Sequence, residues 1–154
     1  MPTGNVYYYF RSKADIARAV ADVFVSETEA MLSGIEKEEV DPRRRLGALV
    51  ARLLRSLKSR VANGCPIALC VRDFRHEAPG ASERAAEAFT LLIAFIAREL
   101  GKTGMRPSRA LSLSRAVLAE WQGGMMLAHA LKDASVLAES FRRMEQLLIG
   151  NTKG

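Results

Sequence analysis

A chain of 154 residues, with 49% hydrophobic and 26% charged residues, has the composition of a folded globular domain and excludes a disordered protein. The net charge of +6 allows a polyanionic partner, although a solvated basic face gives the same charge. The two cysteines fit neither a disulfide scaffold nor a zinc motif, so no metal site and no cofactor are predicted.

Hydrophobic patterning gives no sign of a membrane protein. The longest apolar run, at residues 91–97, is far shorter than the roughly 20 residues that cross a bilayer. The first residues lack the charged leader and apolar core of a signal peptide. We therefore expect no membrane partner and a location in the cytoplasm.

Taken in chain order, the first predicted elements are a short helix within residues 3–9 and a long helix that begins after the cap residue Ser12. Apolar residues recur at three- and four-residue steps from Ile16 to Leu32 and form one stripe, which is typical of an amphipathic helix. Gly34 and the acidic residues after it predict that this helix ends near Ser33.

Asp41 and Pro42 mark the start of the next helix, because aspartate is a good N-cap and proline suits the first helical turn. Leucines and valines line one face of this helix and arginines line the other. The helix is predicted to continue to Asn63 and Gly64. A short helix that begins at Pro66 follows.

The remaining sequence predicts three more helices. Ser82 is predicted to cap the first of them, and Ser108 opens a second that runs to about Leu131. Asp133 or Ser135 caps the last, which extends almost to the end of the chain. No pair of alternating runs flanks a hairpin turn signal, so we predict an all-α fold.

The most informative segment is the aromatic-rich stretch at residues 2–13, PTGNVYYYFRSK. Thr3 and Asn5 can exchange hydrogen bonds with base edges, and tyrosine hydroxyls can reach phosphates or bases. Lys13 adds its charge to the free backbone N–H groups of a helix start, which favours a phosphate. These features predict a DNA recognition helix. The alternative is that residues 7–10 only pack onto a helical core.

This segment resembles the signature of the TetR family of transcriptional regulators, G-x-(L/I/V)-Y-x-(H/Y)-F-x-(S/N)-K-x-x-L. The matching positions are Gly4, Val6, Tyr7, Tyr9, Phe10, Ser12, Lys13 and Ile16. The resemblance implies that Lys13 holds a phosphate and that Val6 and Phe10 pack inside a DNA-binding head. It also implies that DNA is contacted by Thr3, Asn5, Tyr7 and Tyr8.

By this resemblance the chain divides into a partial DNA-binding head at residues 1–20 and a ligand-binding and dimerisation body at residues 21–154. A TetR head has two further helices before this point, which hold the recognition helix in the major groove. We therefore expect that the chain is truncated at its N-terminus or that its start at Met1 is misassigned.

The resemblance further implies that the last two helices form a bundle between two subunits. The predicted interface residues are small residues of one helix and heptad-spaced apolar residues of the other: Gly123, Ala128, Leu137, Phe141, Met144 and Leu148. The alternative is that both helices only close the core of one monomer.

A buried pocket for a small apolar or amphipathic effector is also implied. Its predicted contacts lie on or beside the middle helices: Cys70, Phe74, Phe89, Trp121 and Met125. Each of these residues could instead be a plain core residue. The cysteines are predicted to serve backbone geometry and packing, with a thiol sensor as the alternative.

The sequence thus predicts a ligand-responsive transcriptional regulator that binds operator DNA as a homodimer. Repression is the favoured mode of regulation, with activation as the alternative. The alternative is a stand-alone module that binds a small molecule or a partner without DNA activity. An enzyme is not predicted, because no glycine-rich phosphate loop or catalytic pair occurs. His76 is expected to be solvated, and His129 is expected to be a structural histidine without a metal site.

Overall fold

Helices form almost the whole of the chain that the structure, a computed structural model, describes, namely residues 10–150. They are α1 (Lys13–Glu38), α2 (Pro42–Leu54), α3 (Leu57–Asn63), α4 (Pro66–Asp73), α5 (Pro79–Lys102), α6 (Pro107–Leu131) and α7 (Ala134–Glu145), followed by a π-helical turn at Gln146–Gly150. No strand occurs in this range, and the predicted all-α class is confirmed.

Helix α1 begins as predicted but ends later. The Ser12 hydroxyl oxygen accepts a hydrogen bond from the Asp15 N–H at 3.1 Å, which caps the helix. The predicted end near Ser33 is wrong, because the helix continues through Gly34 to Glu38. The reason is tertiary: Ile35 is fully buried in the main core, and its burial stabilises the added turn.

Helix α2 also begins as predicted, with Asp41 Oδ1 accepting from the Arg44 N–H at 2.9 Å. The predicted uninterrupted helix to Asn63 is wrong, because α2 ends at Leu54 and α3 begins at Leu57. Ser56 lies at the break. Both its N–H and its hydroxyl donate to the Leu53 carbonyl, at 3.2 and 2.8 Å, and so compete with the helical pattern.

Two of the later helices start earlier than predicted: α6 begins at Pro107, one residue before Ser108, and α5 differs more. Ser82 does not cap α5, which begins at Pro79; its hydroxyl instead donates to the Val71 carbonyl at 2.8 Å and ties α5 to α4. Asp133 caps α7 as predicted, since its Oδ1 accepts from the Ser135 N–H at 2.8 Å.

The core consists of two clusters. The main core joins α1, α2, α5, α6 and α7, and its fully buried residues include Leu46, Leu100 and Leu137. A second cluster of small residues lies under the first half of α1, where Ala17 and Ala21 pack with the alanines of α5. Alanine side chains let two helices approach closely, so the first half of α1 lies directly along α5.

None of the helices within residues 10–150 is sufficiently long and apolar to span a bilayer.

Candidate functional site

Of the residues predicted to face DNA, Lys13 lies within the part of the chain that the structure describes. It is the first residue of α1 and is exposed, next to the exposed Arg11. An exposed lysine at a helix start is suited to a phosphate contact. Thr3, Asn5, Tyr7 and Tyr8 lie outside the described residues, and their contact with DNA stays a prediction.

A cavity of about 200 Å³, the central cavity, lies where α1 meets the other helices of the body. Its apolar wall includes Phe24 and Met31 of α1, Leu92 of α5 and Trp121 of α6. The complete lining is Phe24, Glu27, Thr28, Met31, Arg52, Leu53, Ser56, Arg60, Pro66, Ile67, Leu92 and Trp121. Every helix from α1 to α6 therefore contributes at least one residue to the lining.

Several polar groups of the central cavity are already paired with protein atoms. The Thr28 hydroxyl donates to the Phe24 carbonyl at 2.7 Å. The guanidinium of Arg52 forms an ion pair with Glu38, and this hydrogen bond and the arginine charge lower the pKa of the Glu38 carboxyl.

Two N–H groups of the central cavity remain without an acceptor. Trp121 is 4% exposed, and its indole Nε1 has no hydrogen-bond partner among the described residues. The same holds for Nε of Arg60, on α3. Both residues line the cavity, so it combines an apolar wall with two unpaired donors.

A wider depression of about 490 Å³, the outer groove, lies between α4 and α6. Its lining is largely apolar and includes Leu69 of α4 and Met126 of α6, both exposed. His129, at its margin, forms a hydrogen bond through Nδ1 with the Val61 carbonyl at 2.9 Å, which agrees with a structural role. His76 is exposed in the loop before α5, as expected.

The five residues predicted to contact an effector are not gathered around one cavity. Trp121 lines the central cavity, whereas Met125 and Phe89 belong to the main core or pack against it. Cys70 and Phe74 lie in the second cluster, under the first half of α1. The roles of these four residues in effector binding stay predictions.

Cys70 is poorly suited to thiolate chemistry. Burial raises the pKa of its thiol above the ordinary value, and the negative charge of Asp73 raises it further. A thiol that stays protonated reacts slowly with oxidants. Cys65 has a structural task, because its Sγ accepts from the Ala68 N–H at 3.5 Å at the start of α4.

Sequence reasoning missed Arg60 and assigned it no role. A signal was present, because Arg60 falls at the next step of the apolar stripe formed by Leu46, Val50, Leu53 and Leu57. An arginine at a stripe position is a candidate for a buried polar contact. The periodicity did not reveal the break between α2 and α3, so the position of Arg60 beside the central cavity could not be predicted.

The residues predicted for a dimer interface are mostly covered within a single chain. At most 4% of the surface is exposed in five of them: Ala128, Leu137, Phe141, Met144 and Leu148. This burial favours the alternative that they close the monomer's own core. Gly123 differs, because a Cβ atom added there would meet no atom within 4 Å. Their part in an interface stays a prediction.

The outward side of α6 carries a different set of residues. This surface, the α6 outer face, consists of small and apolar side chains that the chain leaves exposed or half-buried: Ala116, Ala119, Gly123, Met126, Leu127, Ala130 and Leu131. Met126 and Leu131 are 65% and 64% exposed. An apolar face of this length on one helix is suited to contact with another helix.

Within residues 10–150, no group of three or more histidine, cysteine or acidic residues is placed to hold a metal ion.

Known proteins share sequence and fold with this chain. Residues 42–143 match the family described as the Transcriptional regulator LmrA/YxaF-like, C-terminal domain. An uncharacterized HTH-type transcriptional regulator in the lacX 3' region of Lactococcus lactis subsp. lactis is 26% identical over 141 residues, which are 90% of this chain and 72% of that relative. The crystal structure of a TetR transcriptional regulator from Legionella pneumophila has the same fold, with a TM-score of 0.82 at 21% identity, over 95% of this chain and 79% of that one.

Proposed function

We propose that this chain, which belongs to the TetR family of ligand-responsive transcriptional regulators, represses transcription as a homodimer. An effector that binds in the central cavity would release the dimer from operator DNA. The family is one of regulators rather than enzymes. The observation that carries the proposal is that four residues of α1 line the cavity, while the same helix begins at Lys13, directly after the predicted recognition segment.

Helix α1 can transmit an effect of the ligand because it is continuous. Its 26 residues include Phe24, at the cavity, and Lys13, about 16 Å away at a rise of 1.5 Å per residue. A ligand that displaces α1 at the cavity also displaces its first turn. In a dimer, the two recognition helices must match major grooves about 34–36 Å apart, so such a shift favours release from DNA.

The α6 outer face is the proposed contact between the two subunits. It is the long apolar surface of α6 that one chain leaves uncovered, whereas Leu137 and Phe141 of α7 are already buried. In a symmetric dimer the same face of both copies would pair, so Met126 of each subunit would be buried in the interface.

Met126→Glu is expected to dissociate the dimer. Two copies of an apolar side chain worth roughly 1.5 kcal/mol each would be lost from the interface, so the dissociation constant should rise about a hundredfold. Analytical ultracentrifugation over a range of concentrations measures this. Val40→Glu is the matched control, because Val40 is 90% exposed in the loop between α1 and α2. Equal association of both variants and the parent would exclude the α6 outer face.

Lys13→Ala is expected to weaken binding to duplex DNA about fivefold whatever the sequence, as for the loss of one hydrogen bond worth roughly 1 kcal/mol. The slope of log affinity against log salt should decrease by about one. Lys37→Ala is the control, since Lys37 is exposed in the last turn of the same helix. Fluorescence anisotropy with labelled duplexes gives both quantities, and an effect of equal size in the control would remove Lys13 from the DNA contact.

The alternative function is a stand-alone module that binds a small molecule or a partner. Fluorescence anisotropy of this chain with labelled duplexes, with and without a cavity ligand, separates the two functions. Duplex binding that a cavity ligand reverses supports the regulator. Ligand binding with no affinity for duplex DNA supports the module. The partial head at residues 1–20, the body at 21–154 and the cytoplasmic location remain proposals.

A further inference from the structure

The two unpaired N–H groups of the central cavity call for an acceptor. A buried donor without a partner costs roughly 1–3 kcal/mol, and native proteins leave few of them. Here two such donors, Nε1 of Trp121 and Nε of Arg60, belong to residues that line one cavity. They come from different helices, α6 and α3, so the fold brings them together from distant parts of the sequence.

The charges around the cavity favour an anionic acceptor. Arg52 is neutralised by Glu38, whereas within residues 10–150 no ion pair joins Arg60 to a carboxylate. The acid among the lining residues is Glu27, which is exposed on α1. A ligand carboxylate would accept from the guanidinium of Arg60 in the geometry that arginine prefers.

The size and the walls of the cavity limit the rest of the ligand. A cavity of 150 Å³ in another protein holds one benzene molecule, so about 200 Å³ suits a single ring with one small substituent. Phe24, Met31 and Leu92 supply an apolar wall for such a ring.

We infer that the effector is a single-ring aromatic carboxylate whose carboxylate accepts hydrogen bonds from Arg60 and Trp121. This inference rests on the proposed function, because it identifies the chemistry of the ligand that the central cavity takes. Its ring contacts Phe24 of α1, so the same molecule that pairs the two donors also contacts the helix that leads to Lys13.

Benzoate and its neutral analogue benzyl alcohol test the inference directly. The chain contains one tryptophan, so an isotope-labelled sample has a single indole N–H signal in its nitrogen–proton correlation spectrum. Benzoate is expected to move that signal downfield in a saturable manner, as a new hydrogen bond forms. Benzyl alcohol is expected to bind at least about tenfold more weakly, because it offers Arg60 no charge.

Substitution of Arg60 provides a second test of the proposed carboxylate contact. Arg60→Met keeps an unbranched side chain but removes the guanidinium, and it is expected to lower benzoate affinity about tenfold or more, with a smaller loss for benzyl alcohol, which has no negative charge to pair with the arginine. Arg55→Met is the matched control, since Arg55 is exposed and does not line the cavity. Thermal melting of both variants shows whether they are folded, and the comparison of the two ligands on the parent chain needs no variant.

The outcomes separate this inference from the proposed function. Preference for benzoate that depends on Arg60 supports it. Equal binding of the two ligands, unchanged in Arg60→Met, overturns the carboxylate and leaves the cavity as an effector site. Failure of both ligands to move the indole signal overturns the inference as well, and the duplex-binding measurements then decide the regulatory function independently.

Discussion

Glu99→Gln is expected to lower the free energy of unfolding by about 3 kcal/mol near neutral pH, at the lower end of the range for breaking a buried ion pair. The side chain of Glu99 is fully buried and accepts from Lys102 at 2.8 Å, Arg98 at 3.0 Å and Arg45 at 3.3 Å. The loss is expected at the lower end because the side chains of Lys102 and Arg98 are 42% and 49% exposed, so water can solvate their charges after the substitution.

The position of Glu99 explains why a single carboxylate matters for three helices. Arg45 of α2 contacts Glu99 of α5 and also donates to the carbonyls of Glu39 and Glu36, at 2.7 and 3.2 Å. These carbonyls lie at the C-terminal end of α1, where helical partners are missing. Loss of the carboxylate therefore also loosens the side chain that caps α1.

The pH dependence of stability shows whether the ionised carboxylate of Glu99 is the group that stabilises the fold. Burial raises the pKa of Glu99, but the hydrogen bonds from Lys102 and Arg98, the charge of Lys102 and the hydrogen bond from Arg45 together bring it below its ordinary value of 4.5. The folded protein thus binds this proton less readily than the unfolded chain. Its contribution to stability is complete above about pH 4.5 and is lost as the pH falls through the lowered folded pKa.

Urea unfolding between about pH 5 and pH 3 measures this difference, because Glu99→Gln has no proton to bind at this position and should lose stability less steeply than the parent. Glu83→Gln is the matched control on the same helix; Glu83 is exposed, and a change within about 0.5 kcal/mol is expected. Parallel pH profiles for the parent and Glu99→Gln would refute the role of the carboxylate.

The sequence predicted those features of the fold that depend on local hydrogen bonds. Ser12, Asp41 and Asp133 cap their helices with the side-chain contacts that such residues make wherever a helix starts. The family signature at residues 4–16 predicted membership in a family of regulators, which the match of residues 42–143 confirms from a separate part of the chain.

Features that depend on distant contacts were not predictable in the same way. Gly34 is a reasonable helix terminator by propensity, yet the buried Ile35 and the capping guanidinium of Arg45 extend α1 beyond it. Ser82 is a favourable cap residue, but the Val71 carbonyl offered its hydroxyl a partner from another helix. The same limit applies to the central cavity, because periodicity assigns residues to a face and does not show which faces leave space between them.

Gly124→Ala is expected to destabilise the protein by about 2 kcal/mol, although alanine is the better helix former by about 1 kcal/mol. A Cβ atom at Gly124 of α6 would overlap Oγ of Ser140 on α7 and lie 2.5 Å from its Cβ. Rotation of the hydroxyl cannot relieve a contact with Cβ, so α6 and α7 must move apart. The fully buried Leu137, whose Cδ1 would lie 3.7 Å from the new methyl group, would then lose part of its packing.

Gly123→Ala is the control for this substitution, and it should act in the opposite direction. The adjacent glycine faces open space, so its replacement should bring only the gain in helix propensity, up to about 1 kcal/mol. Both variants are compared by urea unfolding at one protein concentration, because Gly123 lies on the α6 outer face and dimerisation contributes to apparent stability. A stabilising Gly124→Ala would contradict the close approach of α6 and α7.

A second substitution attributes the loss to one contact. Ser140→Gly removes the atoms that a methyl group at Gly124 would overlap, and alone it should destabilise α7, because glycine weakens a helix interior by about 1 kcal/mol. In the double variant the overlap is absent, so its loss of stability should be at least about 1 kcal/mol smaller than the sum of the two single losses. Strict additivity would place the defect of Gly124→Ala in the helix itself, away from the packing of α6 against α7.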